Sequence, residues 1–264
     1  MEVLVKVASV DDIPFLAACG HTEEDKEIQD SVSRKTSWFK KQWWDGLISL
    51  VGFVNGERAG CLNVFPIENS PWGPKGKDLL VMPCLFVKWE FQGKGLGRAL
   101  MEKAVDIARS SGKKGLVAFS FSEPEWFLPV DFFVKFGFEE ISQNGDERLM
   151  WLKLANDATV PIQFVSRYRY TPVTGKVVID LFFNTFCETS DIEAQRVREV
   201  AEEFGDKVFL NVHCADNHGI RERFELSRGI FINGRELFWG YEAPREGIRE
   251  AVREALLSMD VQHD

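Results

Sequence analysis

The chain has 264 residues, 45% of them hydrophobic and 28% charged, and a net charge of −9. That length suits two domains of ordinary size, and the composition is that of a globular protein. No window approaches the ~18 uninterrupted apolar residues of a membrane span, and an acidic excess in both halves disfavours a nucleic acid partner, whose phosphates demand cations.

Residues 3–10 (VLVKVASV) alternate as a strand does, and Asp11 or Asp12 stands where a cap would start a short helix through Ala18. Trp38, Phe39, Trp43 and Trp44 recur at helical spacing until Gly46 interrupts. Residues 47–67 set two β-rich runs around Asn55-Gly56, the pair that best supplies positive φ in a type I′ turn. A Pro- and Gly-rich loop, 69–77, leads to 78–87 (DLLVMPCLFV), apolar enough for a strand covered on both faces. A helix over 95–110, a strand over 115–121, a short helix around 129–136 and two strands, 137–142 and 147–155, complete the order β-α-α-β-β-β-α-β-α-β-β.

The pattern then restarts. A buried strand at 176–184 precedes a helix at 190–205, with Ser190 and Glu193 in capping-box positions. A strand at 207–214, a second Asn-Gly hairpin over 229–240 and an amphipathic helix at 245–259 follow. These patterns predict an α/β protein of two domains, 1–155 and 156–264, with the linker at about 155–173.

The chemistry concentrates at Gln92-Gly93-Lys94-Gly95-Leu96-Gly97, between a buried strand and a helix start. First-turn amides lack intrahelical acceptors and carry the positive end of the helix dipole. Glycines let an anion approach them, and Lys94 and Arg98 add charge. No Ser or Thr follows a Gly-Lys pair, as a P-loop requires, and G-x-G-x-G is not the dinucleotide fingerprint.

The run VKWEFQGKGLGRAL resembles motif A of the GNAT acyltransferases, [QR]-x-x-G-x-[GA], and FFVKFGFEE resembles that family's closing Y-x-x-x-GF segment about 40 residues later. The element order over residues 1 to about 155 is also similar to the GNAT fold, an α+β arrangement on a mixed sheet. The resemblance implies an N-acetyltransferase with acetyl-CoA as co-substrate and a small-molecule or peptide amine as acceptor. The pyrophosphate would rest on the amides of Gln92, Gly93, Lys94, Gly95, Leu96, Gly97 and Arg98, and the pantetheine arm against Leu85, Phe86 and Val87. The acceptor would enter a V-shaped splay between strands 80–87 and 115–121. Where the family often keeps an acidic tyrosine this chain has Phe133, and a phenyl ring donates no proton. Cys84 on the strand, Glu90 beside the loop and Glu123 after the next strand are the catalytic candidates, with Asp78 and Glu125 nearby in sequence. A CoA-binding domain of weak activity, fused to a thiol-binding module, is the alternative.

That module is residues 156–264, which resemble a thioredoxin-like fold with Cys187 as the thiol site before its first helix. The resolving cysteine is replaced, giving Cys187-Glu188-Thr189-Ser190, and Arg228 occupies the place of the family's cis-proline. Together the halves resemble the YoaP-type two-domain proteins. Five cysteines without a CxxC pair, and an N-terminus unlike a secretory leader, predict reduced thiols in the cytoplasm. His213, Cys214, Asp216 and His218 span a strand end and a loop, so no metal site is expected. A homodimer is among the expected assemblies.

Overall fold

In a computed structural model, which describes residues 2–19, 25–121 and 128–260, the chain divides into two units, Met1–Phe164 and Val165–Asp264. The first unit runs β1 (Val3–Val7), α1 (Ile13–Ala18), α2 (Lys26–Gln42), β2 (Ile48–Val54), β3 (Glu57–Pro66), β4 (Leu79–Val87), α3 (Leu96–Ser110), β5 (Gly115–Phe121), α4 (Val130–Val134), β6 (Glu139–Asn144) and β7 (Glu147–Lys153). Its strands form one sheet in the order β1-β2-β3-β4-β5-β7-β6. β4 and β5 are parallel and every other neighbouring pair is antiparallel, so the sheet is mixed, as expected.

Side-chain alternation sends the two faces of this sheet to different helices. Leu50, Leu62, Leu80, Met82, Leu116 and Ala118 share a buried core with Leu96, Leu100, Met101 and Ala104 of α3. Each such leucine contributes roughly 1.5–3 kcal/mol by leaving water. From the other side, Trp38 of α2 packs edge-on against Phe65 of β3 at 6.0 Å. The β2–β3 turn takes φ of 49° at Asn55 and 85° at Gly56, the positive values that the dipeptide predicted.

Element ends differ where capping was misread. β1 stops at Val7, because Ser9 starts a 3-10 turn whose capping box closes on Asp12. The Asp12 carboxylate therefore makes no side-chain cap to α1. It accepts from the Ser9 amide at 2.9 Å and from Arg58 at 2.8 Å. α2 begins at Lys26, earlier than the aromatic spacing suggested, with the Asp25 carboxylate accepting from the Glu27 amide at 2.8 Å. Residues 155–164, expected as linker, hold to the first unit: Lys75 and Ile162 exchange two backbone hydrogen bonds of 2.9 Å, and Gln163 is buried between Ser142 and Glu147.

The second unit runs β8 (Val177–Phe183), α5 (Glu188–Phe204), β9 (Val208–Cys214), α6 (His218–Phe224), β10 (Gly229–Ile232), β11 (Arg235–Leu237) and α7 (Arg245–Asp260). The strand order is β11-β10-β8-β9, with β8 parallel to β9 and antiparallel to β10. Val177, Ile179 and Leu181 pack with Val197 and Val200 of α5 and Ile248 and Val252 of α7. The expected Ser190–Glu193 capping box is not made. α5 starts at Glu188, so Ser190 lies inside the first turn and its hydroxyl accepts from the Asn184 amide at 3.1 Å. Glu193 instead accepts from Arg228 and from the Ala243 amide, both at 2.8 Å.

Candidate functional site

The glycine loop is built from the core outward. Leu96, the first residue of α3, is fully buried. It sits against two strand glycines: a Cβ on Gly52 would lie 2.5 Å from Leu96 Cδ1, and one on Gly60 2.5 Å from the Phe86 carbonyl and 3.3 Å from Leu96 Cδ2. Glycine in β2 and β3 thus brings the helix start close to the sheet. The chain reaches it through Gly93 and Gly95, at φ of 71° and 84°, conformations that L side chains adopt only with strain.

The Gln92 amide donates to the Trp89 carbonyl at 3.1 Å, and its side chain donates to the Val87 carbonyl at 3.1 Å. Gln92 therefore ties loop to strand. The amides of Gly93, Lys94, Gly95, Leu96, Gly97 and Arg98 take no acceptor from the described residues. Gly97 has negative φ, and a Cβ there would make only ordinary contacts, 3.7 Å or more, with Phe132 and Val87. Neither backbone nor packing needs glycine at this position, although glycine in a helix costs roughly 0.5–1 kcal/mol relative to alanine. No acidic side chain lies in the first turn of α3, and Lys94 and Arg98 are exposed there, over the rings of Phe91 (5.2 Å) and Phe136 (5.8 Å).

Beside this loop the sheet opens. β4 and β5 pair from Leu79↔Gly115 to Met82↔Ala118 and no further. Pro83 comes next, and without an N–H it cannot continue the ladder. β4 keeps pairing with β3 as far as Val87, and β5 with β7 as far as Phe121. The edge of β4 from Pro83 to Val87 thus faces the opening, with Leu85, Phe86 and Val87 on it. Pro83 was the legible sign of this split, and sequence reasoning passed over it.

The proposed catalytic groups fall in different settings. Glu90 is exposed in the 3-10 turn Trp89–Phe91. Glu123, with Glu125, lies outside the described residues. Asp78 is half-buried, and its carboxylate stands 3.8 Å from Lys114. Phe133 is fully buried, edge-on to Phe132 at 5.5 Å and to Phe138 at 5.3 Å, a packing residue. Of the tryptophans, Trp38 is core, Trp72 is half-buried and Trp44 is 85% exposed.

Cys84 has neighbours that the linear sequence did not suggest. It is half-buried, and the neighbouring Cys19 together with burial pushes its thiol well above the ordinary value. Lys35 of α2, 1% exposed, donates from Nζ to Cys19 Sγ at 2.8 Å. Burial pushes the nearby Cys61 thiol up to about 12. Lys35 does fall on the buried stripe of α2, with Ser31, Val32, Trp38 and Phe39, and a lysine on such a stripe was the available signal.

In the second unit Cys187 is the N-cap residue of α5, half-buried, and its amide donates to the Asn184 side chain at 2.9 Å. His213 stacks on Phe182 with Asp180 3.7 Å away, while His218 stands 3.8 Å from Glu222. Among the described residues no three His, Cys, Asp or Glu side chains converge as metal ligands, and no helix is long and apolar enough to cross a membrane.

Residues 19–138 match the model of the acetyltransferase (GNAT) family. Three solved structures resemble the chain over part of its length. PaiA N-acetyltransferase of Thermoplasma acidophilum, in complex with coenzyme A, is 16% identical over 58% of this chain and 100% of that one, with a TM-score of 0.45. YncA of Salmonella typhimurium, with acetyl-CoA, is 21% identical over 60% and 96%, at 0.44. The ribosomal-protein-alanine N-acetyltransferase of Brucella melitensis is 19% identical over 57% and 99%, at 0.44. No curated protein matches. The matched region, less than half of the chain, holds both the glycine loop and the opening in the sheet.

Proposed function

We propose that this chain transfers an acetyl group from acetyl-CoA to an amine acceptor. The observation that carries the reading is the row of six open amides, Gly93 to Arg98, at the start of α3, with a glycine at 97 that packing does not require. The amides and the exposed cations Lys94 and Arg98 bind the pyrophosphate. The unpaired edge of β4 past Pro83 takes the pantetheine arm as a partial strand, and one of its amides holds the thioester oxygen as charge develops there. The amine attacks the carbonyl carbon, the C–N bond forms, the C–S bond breaks, and the nitrogen gives up a proton to water. Because Phe133 offers no proton, the leaving thiolate takes one from water, and positioning supplies much of the rate. Calorimetric titration with acetyl-CoA tests the reading. Saturable binding to one site per chain supports it, and no heat at millimolar ligand overturns it.

We further read the C-terminal unit as a thioredoxin-like docking module, and the whole as a YoaP-type arrangement in the cytoplasm. The observation in favour is Cys187 at the N-cap of α5, with Arg228 bound to Glu193 in place of a cis-proline. None of the five cysteines is in a disulfide, which suits a reducing compartment. Incubation with glutathione disulfide should leave a lasting mixed disulfide on Cys187, since no second cysteine follows it in the helix. An unmodified Cys187 contradicts this reading.

A further inference from the structure

The opening between β4 and β5 has two faces, and side-chain alternation decides what stands on each. Leu62 and Leu85 are partners across β3 and β4 and belong to the core under α3. Their neighbours Asn63, Cys84 and Phe86 therefore turn to the face that α2 covers. On β5, Ala118 belongs to the α3 core and Phe119 to the separate cluster of Val81 and Trp151, so Phe121 turns the same way as Phe86. Phe86 and Phe121, both half-buried, thus stand on the two lips beyond Met82↔Ala118, where pairing ends. One amide lies beside them. Asn63, 2% exposed and in register with Cys84, accepts from the Ser49 hydroxyl at 2.6 Å through Oδ1. The planar amide then sends Nδ2 away from β2, and among the described residues Nδ2 finds no acceptor. A buried donor left open costs free energy until an oxygen reaches it. The charge on this face is positive: Lys35, 1% exposed, lies one turn before Trp38 on the buried stripe of α2, and Trp38 packs on Phe65, two residues from Asn63.

We propose that the acceptor carries its amine beside a carbonyl oxygen and an aromatic or aliphatic group, the chemistry of an apolar amino-acid amide or peptide N-terminus. The inference rests on the acetyl-transfer reading and names what the transfer acts on. Phe86 and Phe121 hold the apolar group between the two lips. Asn63 donates from Nδ2 to the carbonyl oxygen, and the Ser49 hydroxyl keeps the amide turned that way. An amine without this oxygen leaves the buried donor unpaired, and such a mismatch discriminates more strongly than a change in apolar size. Lys35 opposes a second cation, which disfavours polyamines. The amine nitrogen attacks the thioester carbon, the C–N bond forms and the C–S bond breaks. The nitrogen gives up a proton to water and the thiolate takes one from water, leaving an N-acetyl product and the CoA thiol.

The test uses the full chain and acetyl-CoA, with release of the CoA thiol followed at neutral pH for L-phenylalaninamide, 2-phenylethylamine and spermidine. The expected kcat/KM falls in that order, by about tenfold or more at each step. Asn63→Asp, which sets an anion where the donor stood, should narrow the lead of L-phenylalaninamide over spermidine to less than about tenfold. Where that variant does not fold, the Asn63 side-chain amide resonances of the wild-type chain decide. They should shift when L-phenylalaninamide is added with CoA present and stay unmoved with spermidine. Equal use of L-phenylalaninamide and 2-phenylethylamine overturns the role of Asn63. Spermidine used as well as L-phenylalaninamide, or turnover of none of the three with acetyl-CoA bound, overturns the inference and leaves CoA binding standing. Absence of acetyl-CoA binding in calorimetry overturns both.

Discussion

α3 and α5 begin alike and end up opposite in electrostatic state. Each follows a buried strand that has a parallel neighbour, and each presents the positive end of its dipole at the strand-to-helix junction. At α5 the protein answers that charge itself. Glu188 and Asp191 lie buried in the first turn, the Asn184 side chain accepts from the Cys187 amide, and Ser190 accepts from Asn184. At α3 the first turn holds no acid, glycines at positive φ make the turn, and the amides remain open beside Lys94 and Arg98, whose nearest acid is Glu102 one turn on, 3.7 Å from Arg98. One junction is closed by its own side chains, while the amides of the other stay open.

The contrast breaks most readily at Gly95. A side chain there meets no atom within 4 Å but is forced to φ of 84°, so Gly95→Glu should cost about 1–2 kcal/mol of stability. Its carboxylate in the cradle should weaken CoA binding by about a hundredfold in calorimetry. Unchanged affinity would mean that the open amides hold nothing.

The internal closure of polar groups in the second unit extends to Asp180. Burial raises its carboxyl, but His213 3.7 Å away and hydrogen bonds from Tyr168 and Asn211 outweigh that and hold it below the usual carboxylate value. The folded pKa is thus lower than the unfolded one. The stability it contributes is present above the unfolded value and is lost as pH falls through the folded one, below about pH 4. Asp180→Asn should cost about 2 kcal/mol near neutral pH, by denaturant unfolding of this unit's transition, and should flatten its decline in acid.

Gly97 sharpens the comparison because two effects have opposite signs. Gly97→Ala should stabilise α3 by about 0.5–1 kcal/mol in thermal unfolding, while weakening CoA binding by about threefold to tenfold, since the added methyl stands where the ligand must approach. Stabilisation with no loss of affinity would remove the ligand explanation for this glycine. The smallest effect is expected at Glu188. Glu188→Gln should destabilise the second unit by about 0.5 kcal/mol and leave CoA affinity unchanged, because its carboxylate answers the dipole of α5 and not that of α3.

What could be read from sequence was local and periodic. The two Asn-Gly turns, the buried runs at 78–87 and 176–184 and the glycine loop each carry their signal within a few residues. The element order followed from them. Signals that depend on competition between partners were misread. Ser190 and Glu193 have capping-box spacing, yet Asn184 takes the Ser190 hydroxyl and Arg228 takes the Glu193 carboxylate. Asp12 stood where a cap belongs, but Arg58, distant in sequence, shares its carboxylate with Ser9. Convergence across the fold left the faintest trace: Cys19, Lys35 and Cys84 come from three elements, and only the placement of Lys35 on an apolar stripe hinted at it.

The central claim is that the amides opening α3 are an anion site and those opening α5 are not. Amide chemical shifts of the full chain, followed as CoA is added, address this most directly. The account predicts large, saturable shifts at Gly93, Gly95 and Gly97, with Glu188 to Asp191 unmoved. Shifts confined to the start of α5, or none at the three glycines at saturating CoA, would contradict it.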